Sequence, residues 1–221
     1  MNFDPTTVNM ILKGIGETLY MVFISSAVSY LIGIPLGVIL VVTDKGGIHP
    51  VPALNTVLGI LINLLRSVPF IILLIAVLPF TRLVVGTTLG AKAVVVPLVI
   101  AAAPYVARMV ESSLKEVDAG VIEAAKSMGA GTMQIVWKVL LPESRPSLLV
   151  GAAISITTIL GYSAMAGFVG GGGLGTIAIN YGYYRYQTGM MMVTVAILVI
   201  IVQIIQEVGM RSSKASDKRI K

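Results

Sequence analysis

The residues best placed to engage another molecule lie between Asp118 and Pro146, in the interval DAGVIEAAKSMGAGTMQIVWKVLLPESRP. Val121, Ile122, Ala125 and Met128 share one helical face, and Glu123 and Lys126 lie opposite. Asp118 is placed to cap this short helix and Gly129 to end it. Thr132 can cap a second helix carrying Ile135, Val136, Val139 and Leu140, which Pro142 helps to end. The chemistry on offer is recognition through charge and contact, not bond making. An apolar stripe of this kind needs cover, and the expected cover is a partner protein.

Residues for covalent or metal chemistry are scarce. His49 stands alone in the Gly/Pro-rich turn GGIHPVP, with no cysteine or paired carboxylates near it, and reads as a loop residue. The chain has no cysteine, which excludes thiolate metal sites and cysteine nucleophiles. Gly170, Gly172 and Gly175 spell G-x-G-x-x-G, but they follow a hydrophobic span where a dinucleotide site needs a strand. Thr176 stands where a phosphate-binding P-loop needs lysine, so the run reads as a flexible or tightly packed turn and no nucleotide site is expected. Of the carboxylates, Glu17 and Glu207 approach the ends of apolar stretches, and none pairs inside one to relay protons.

Two features inside the apolar stretches stand out. Arg66 is expected mid-span, at a cost on the order of 2.5–3.5 kcal/mol. Either it meets an internal ion or carbonyl, or it acts near a pathway or in coupling. The run GYSAMAG (161–167) mixes small residues with Tyr162, Ser163 and Met165. Its Met side chain can serve as packing, or can seal a narrow opening and yield on rearrangement.

The elements that must position these residues belong to a membrane. Of the 221 residues, 56% are hydrophobic and 12% charged, and the mean hydropathy is +0.94. Five stretches can each supply the ~20 residues a crossing requires: 18–42, 57–80, 93–110, 148–169 and 190–208, with a polar loop at 111–147. Gly33 and Gly37 around Pro35 read as a close helix-packing pair, and Pro97 and Pro104 are expected to interrupt the third span. The opening MNFDPTTVNM lacks a basic n-region, so the first span is read as retained. The net charge of +6 is not gathered into a basic patch with aromatics, and nucleic acid is not expected. Topology explains the charge better. Eleven Lys and Arg, including Lys45, Arg108, Lys115, Lys218, Arg219 and Lys221, fall in the 43–56 connection, the 108–146 region and the tail. Lys13, Arg82, Lys92 and Arg185 fall on the other side, which places the N-terminus outside and the polar loop and C-terminus in the cytoplasm.

Glu123-Ala124-Ala125, then Gly129, then Val139-Leu140-Leu141-Pro142 resembles the EAA loop of ABC-importer permeases, with Val139 in place of the family's isoleucine. NLLRSVPFIILL (63–74), PFTRLVVGTTLG (79–90), AAPYVARMVESSL (102–114) and GYSAMAGFVGGGGLG (161–175) further resemble the methionine-importer permeases. The resemblance implies an all-α integral membrane protein with the type I ABC importer permease fold, five transmembrane helices and a cytoplasmic coupling loop. It implies a homodimer in the bacterial cytoplasmic membrane that carries D- or L-methionine by alternating access. Its implied partners are two cytoplasmic ATPase subunits, which hold the ATP and Mg²⁺, and an extracytoplasmic substrate-binding lipoprotein; no cofactor is expected in this chain. ATPase coupling would fall to Asp118, Glu123, Ala124, Ala125, Gly129, Leu141 and Pro142, and the pathway or gate to Tyr162, Ser163 and Met165. The alternatives are another small ligand on the same scaffold, an ATP-independent secondary transporter, and an intramembrane enzyme. The second lacks intramembrane carboxylates or clear repeats, and the third lacks a catalytic dyad.

Overall fold

Long apolar runs in a medium without water must satisfy their own backbone, and a helix does so within one segment. The computed structural model describes residues 4–217, and no strand occurs among them. Lys218, Arg219 and Lys221 of the topology argument lie outside the described residues. The helices are α1 (Pro5–Thr43), α2 (Pro52–Ser67), α3 (Phe70–Ala76), α4 (Leu78–Val85), α5 (Ala91–Lys115), α6 (Ala119–Ser127), α7 (Thr132–Ile135), α8 (Leu141–Glu143), α9 (Arg145–Met165), α10 (Gly173–Ile177) and α11 (Thr188–Ser216). Four are long and apolar enough to cross a membrane, or five if the bent pair α2 and α3 makes one crossing.

Prolines account for the main departures from expectation. Helix α1 starts at Pro5, well before residue 18, because a proline at the first helical position gives up no hydrogen bond. Pro97 and Pro104 lie within α5 without interrupting it. The expected 57–80 span is divided instead. Pro69 has extended backbone (φ −57°, ψ 134°) and holds Val68 out of the helical region, so α2 stops at Ser67 and α3 begins at Phe70. Arg66 thereby falls in the last turn of α2.

The chain forms two compact units. One gathers residues 4–28, Val68–Ala102 and Ile156–Gln206. Its core joins Met21, Phe70, Leu74, Leu98 and Ile159, and a second cluster joins Ile11, Leu174, Ile177 and Met190.

The other unit gathers Ser29–Ser67, Ala103–Ser155 and residues 207–217. Here α5 runs against α1 at the two glycines. A methyl group on Gly37 would lie 2.7 Å from the Ala107 carbonyl oxygen, and one on Gly33 2.5 Å from Val106 Cγ1. Asn55 Nδ2 donates to the Leu40 carbonyl at 2.6 Å, which ties α2 to the end of α1. Around this seam Val41, Val106, Val110, Leu114 and Val117 bury themselves with Ala125, Ile135, Val136 and Leu140 from the polar interval. A loop that the sequence places at a membrane surface is thus rooted in the core of its own unit.

Candidate functional site

Asp118 opens the polar interval. Its Oδ1 accepts the Gly120 N–H at 2.8 Å, satisfying a donor that the first turn of α6 leaves open. At the other end the Gly129 N–H donates to Lys126 O at 2.9 Å and the Ala130 N–H to Ala125 O at 3.1 Å, with Gly129 at φ +78°. A methyl group at Gly129 would meet nothing within 4 Å. Glycine is required there by left-handed backbone alone, not by crowding.

The second short helix differs from expectation at both ends. Gly131 is the cap and Thr132 the first helical residue, because Gln134 Oε1 reaches back to accept the Gly131 N–H at 3.0 Å. Nor does Pro142 end the helix. Helix α7 widens into a π-helical stretch, Val136–Leu140, and continues past Pro142 as α8 to Glu143, where a turn at Ser144 leads into α9. The wider turn lets the Leu141 N–H reach the Val136 carbonyl and accommodates the missing donor and the ring of Pro142. Ser144 Oγ donates to the Leu140 carbonyl at 2.7 Å just beyond.

The apolar stripe also divides. Ala125 is buried and Ile122 half-buried against the unit's own core, and Leu141 packs there too. Val121, Met128 (82% exposed), Met133 and Trp137 (66%) remain uncovered, with Glu123, Ala124 and Pro142 exposed beside them in sequence. A partner is therefore needed for these outward residues and not for the whole stripe.

Tyr162, Ser163 and Met165 have three separate environments. The Tyr162 ring stacks on Phe70 with centroids 4.5 Å apart and planes within 7°. Ser163 is buried and donates to the Leu160 carbonyl at 2.7 Å, within its own helix. Met165, the last residue of α9, is 47% exposed. Of the three, Met165 alone presents an uncovered side chain. The guanidinium of Arg66 lies 5.8 Å from the centre of the Tyr105 ring, a cation–π contact at the helix end. His49 belongs to the turn after α1, its N–H donating to Val42 O at 3.0 Å. No group of three or more metal-ligating His, Cys, Asp or Glu side chains occurs among the described residues.

The glycine run is tightly packed. A methyl group on Gly175 would lie 2.4 Å from the Ala164 carbonyl oxygen, and one on Gly167 would lie 2.4 Å from the Gly175 carbonyl carbon. The Gly173 N–H donates to Glu17 Oε2 at 2.7 Å and the Leu174 N–H to Thr18 Oγ1 at 2.9 Å. These partners are not evident in the sequence, which shows Glu17 only as a carboxylate near a span. Glu111 is likewise missed: assigned to the loop, it lies buried in the last turns of α5. Its spacing from Arg108 (i,i+3) and Lys115 (i,i+4) is the signal that could have found it.

Comparison with known proteins agrees with this architecture. The family model described as "Binding-protein-dependent transport system inner membrane component" matches residues 33–221. The chain is 52% identical over 201 residues to the "Probable D-methionine transport system permease protein MetI" of Vibrio cholerae, covering 91% of this chain and 89% of that protein. It is 49% identical over 158 residues to the D-methionine transport system permease protein MetI of Escherichia coli K12, covering 72% and 73%. A solved structure, "Inward facing conformations of the MetNI methionine ABC transporter", superposes with a TM-score of 0.96 at 45% identity, over 98% of this chain and 100% of that one. The EAA-like helices, the apolar spans and these likenesses converge: the chain belongs to the binding-protein-dependent transport system inner membrane components, as a MetI-like permease with the type I ABC importer fold.

Proposed function

We propose that this chain is the permease subunit of an ATP-driven methionine importer, working as a homodimer with two cytoplasmic ATPase subunits and an extracytoplasmic binding lipoprotein. The observation that carries this reading is the geometry of α6. Its inner face, Ile122 and Ala125, is held in the core of its unit, while Val121, Met128, Met133 and Trp137 face outward. A helix anchored on one side, with charged Glu123 and Lys126 and apolar Val121 open on the other, can transmit the displacement of a bound partner, where a free loop would absorb it. Support for methionine comes from the relatives, two of which are named as D-methionine permeases.

In this reading ATP and Mg²⁺ belong to the partner, and this chain supplies the moving pathway. The polar loop lies in the cytoplasm and the N-terminus outside, following the excess of Lys and Arg. Closure of the ATPase dimer draws the two copies of α6 together, and the spans reorient as rigid bodies toward the binding protein. Asp118, Glu123, Ala124, Ala125, Gly129, Leu141 and Pro142 form or support the docking helices, and Met165, beside Tyr162 and Ser163, lines the gate. The test is purification of tagged wild type and Gly129→Asp in mild detergent, with masses of co-eluting chains and ATP-dependent uptake of labelled methionine by vesicles. The expected result is a two-to-two complex and uptake for wild type, and an inserted but uncoupled Gly129→Asp, whose added carboxylate sits at the negative end of α6. Wild type eluting alone, with uptake indifferent to ATP, would overturn the proposal in favour of a secondary transporter.

A further inference from the structure

A row of charged contacts runs beside the coupling helix. Glu111, its side chain only 11% exposed, holds a cation on each oxygen: Arg108 Nη1 lies 2.6 Å from Oε2, and Lys115 Nζ 3.0 Å from Oε1. Lys115 Nζ also lies 2.8 Å from Asp44 Oδ2, in the turn after α1. In the other direction Arg108 Nη2 donates to the Gly59 carbonyl and to Asn63 Oδ1 of α2, each at 3.0 Å. One connected row therefore joins the turn after α1, helix α2 and the last turns of α5. Asp118, which starts α6, is three residues beyond Lys115.

The backbone across that short gap is weakly tied. The Glu116 N–H to Ser113 O and Val117 N–H to Leu114 O distances are both 3.4 Å, longer than a good backbone hydrogen bond. The firmer path from α6 into the unit is packing, with Ile122 and Ala125 against the cluster that holds Leu114 and Val117 at the end of α5. The charged row fixes that end of α5 in turn. Mostly buried charges are expensive unless fully paired, and Glu111 meets that condition by bridging two cations.

We infer that Glu111 and Lys115 are positioning residues for transport: they lock the end of α5 to Asp44 and, through Arg108, to α2, so that displacement of α6 reaches α1 and α2 together. The inference rests on the importer reading above. The role is mechanical, so its signature is the number of ATP molecules consumed per substrate, not the amount of complex.

The test uses the complete transporter in proteoliposomes, with ATP hydrolysis and uptake of labelled methionine measured together for wild type, Lys115→Met, Lys115→Arg and Asp44→Asn. Lys115→Met should raise the ATP consumed per methionine by roughly threefold or more, the size expected when coupling is weakened. Lys115→Arg, whose guanidinium can span both carboxylates, should restore the wild-type ratio. Asp44→Asn sits in a solvent-facing turn, spares the helices and should shift the ratio in the same direction as Lys115→Met. Wild-type ratios in both Lys115→Met and Asp44→Asn would overturn the inference and leave the importer reading standing. So would a fall of hydrolysis and uptake in step, with their ratio unchanged. Wild type that shows no ATP-driven methionine uptake fails the importer reading itself, and the inference falls with it.

Discussion

Glu17 Oε2 accepts the backbone N–H of Gly173 at 2.7 Å, a contact between residues 156 positions apart in the chain. Thr18 Oγ1 takes the next N–H, that of Leu174, at 2.9 Å. Two adjacent side chains of α1 thus occupy the open donors at the start of α10, which has no side-chain cap of its own. The carboxylate also faces the positive end of those peptide dipoles, and Lys13 Nζ stands 3.9 Å away.

Glu17→Ala should therefore cost about 1–2 kcal/mol of stability, the range of a lost helix cap or charge-assisted hydrogen bond. Glu17→Gln keeps an acceptor and should lose less. Thermal unfolding of the purified protein in one detergent checks the order wild type, Gln, Ala. A Glu17→Ala midpoint equal to that of wild type would mean that solvent or another group takes over the Gly173 N–H.

Gly129 presents a different kind of requirement. The space around it is open and its φ is +78°, so a substituent is penalised by backbone strain and not by a clash. Gly129→Val should cost about 1–2 kcal/mol at this position, with the loss concentrated in the link between α6 and α7. Gly129→Asn, which tolerates left-handed backbone, should remain closer to wild type. Uptake per ATP in vesicles should follow the same order, with all three proteins inserted. Asn behaving as badly as Val would point to a direct contact at this residue in the assembled transporter.

The sequence shows the local features of this loop well, because caps and left-handed glycines depend on neighbours a few residues away. Asp118 and Gly129 occupy the expected positions for that reason. What it shows poorly is set by distant partners or by the accommodation of proline. Pro142 looks like a helix stop, but a π-helical turn carries the helix past it. Pro69 instead breaks a run that reads as one continuous span. The apolar stripe of α6 gives no sign that Ile122 and Ala125 join a cluster with Val41 of α1 and Leu114 of α5, and so the whole stripe reads as awaiting a partner. Nor does the sequence show that the Ser163 hydroxyl is satisfied by the Leu160 carbonyl of its own helix.

Tyr162 and Met165 should separate under truncation. Tyr162→Ala removes a half-buried ring stacked on Phe70 and should lose roughly 2 kcal/mol, less than truncation of a core aromatic, lowering the unfolding midpoint. Met165→Ala trims a half-exposed side chain at a helix end and should lose under about 1 kcal/mol. If Met165 forms the gate, its alanine variant should alter substrate leak or ATP-coupled uptake while the midpoint stays near wild type. A large loss of midpoint with unchanged flux would make Met165 a packing residue of the assembled protein.

Asp44 carries the pH prediction. Its carboxyl is held below the usual aspartate range, first by the hydrogen bond from the Lys115 ammonium and then by the Lys45 backbone N–H at 2.8 Å. The charged groups nearest this contact are Lys115, Lys45 and, through Lys115, Glu111. A carboxyl whose folded pKa is depressed stabilises the fold above its unfolded value, and that contribution is lost as pH falls through the folded value. The ordinary aspartate value is about 3.9, so the Asp44–Lys115 contact should hold from neutral pH down to that point and open only in stronger acid. Because the Asp44 side chain is 38% exposed, its contribution is that of a partly screened surface pair and small in size. Carboxyl carbon shifts of labelled Asp44, followed by NMR as pH is lowered, should give a midpoint below the ordinary value. In Lys115→Met the midpoint should move back up, since the principal hydrogen-bond donor is gone. A wild-type midpoint at or above the ordinary value, or one unmoved by Lys115→Met, would show that the two residues do not hold each other in the membrane-embedded protein.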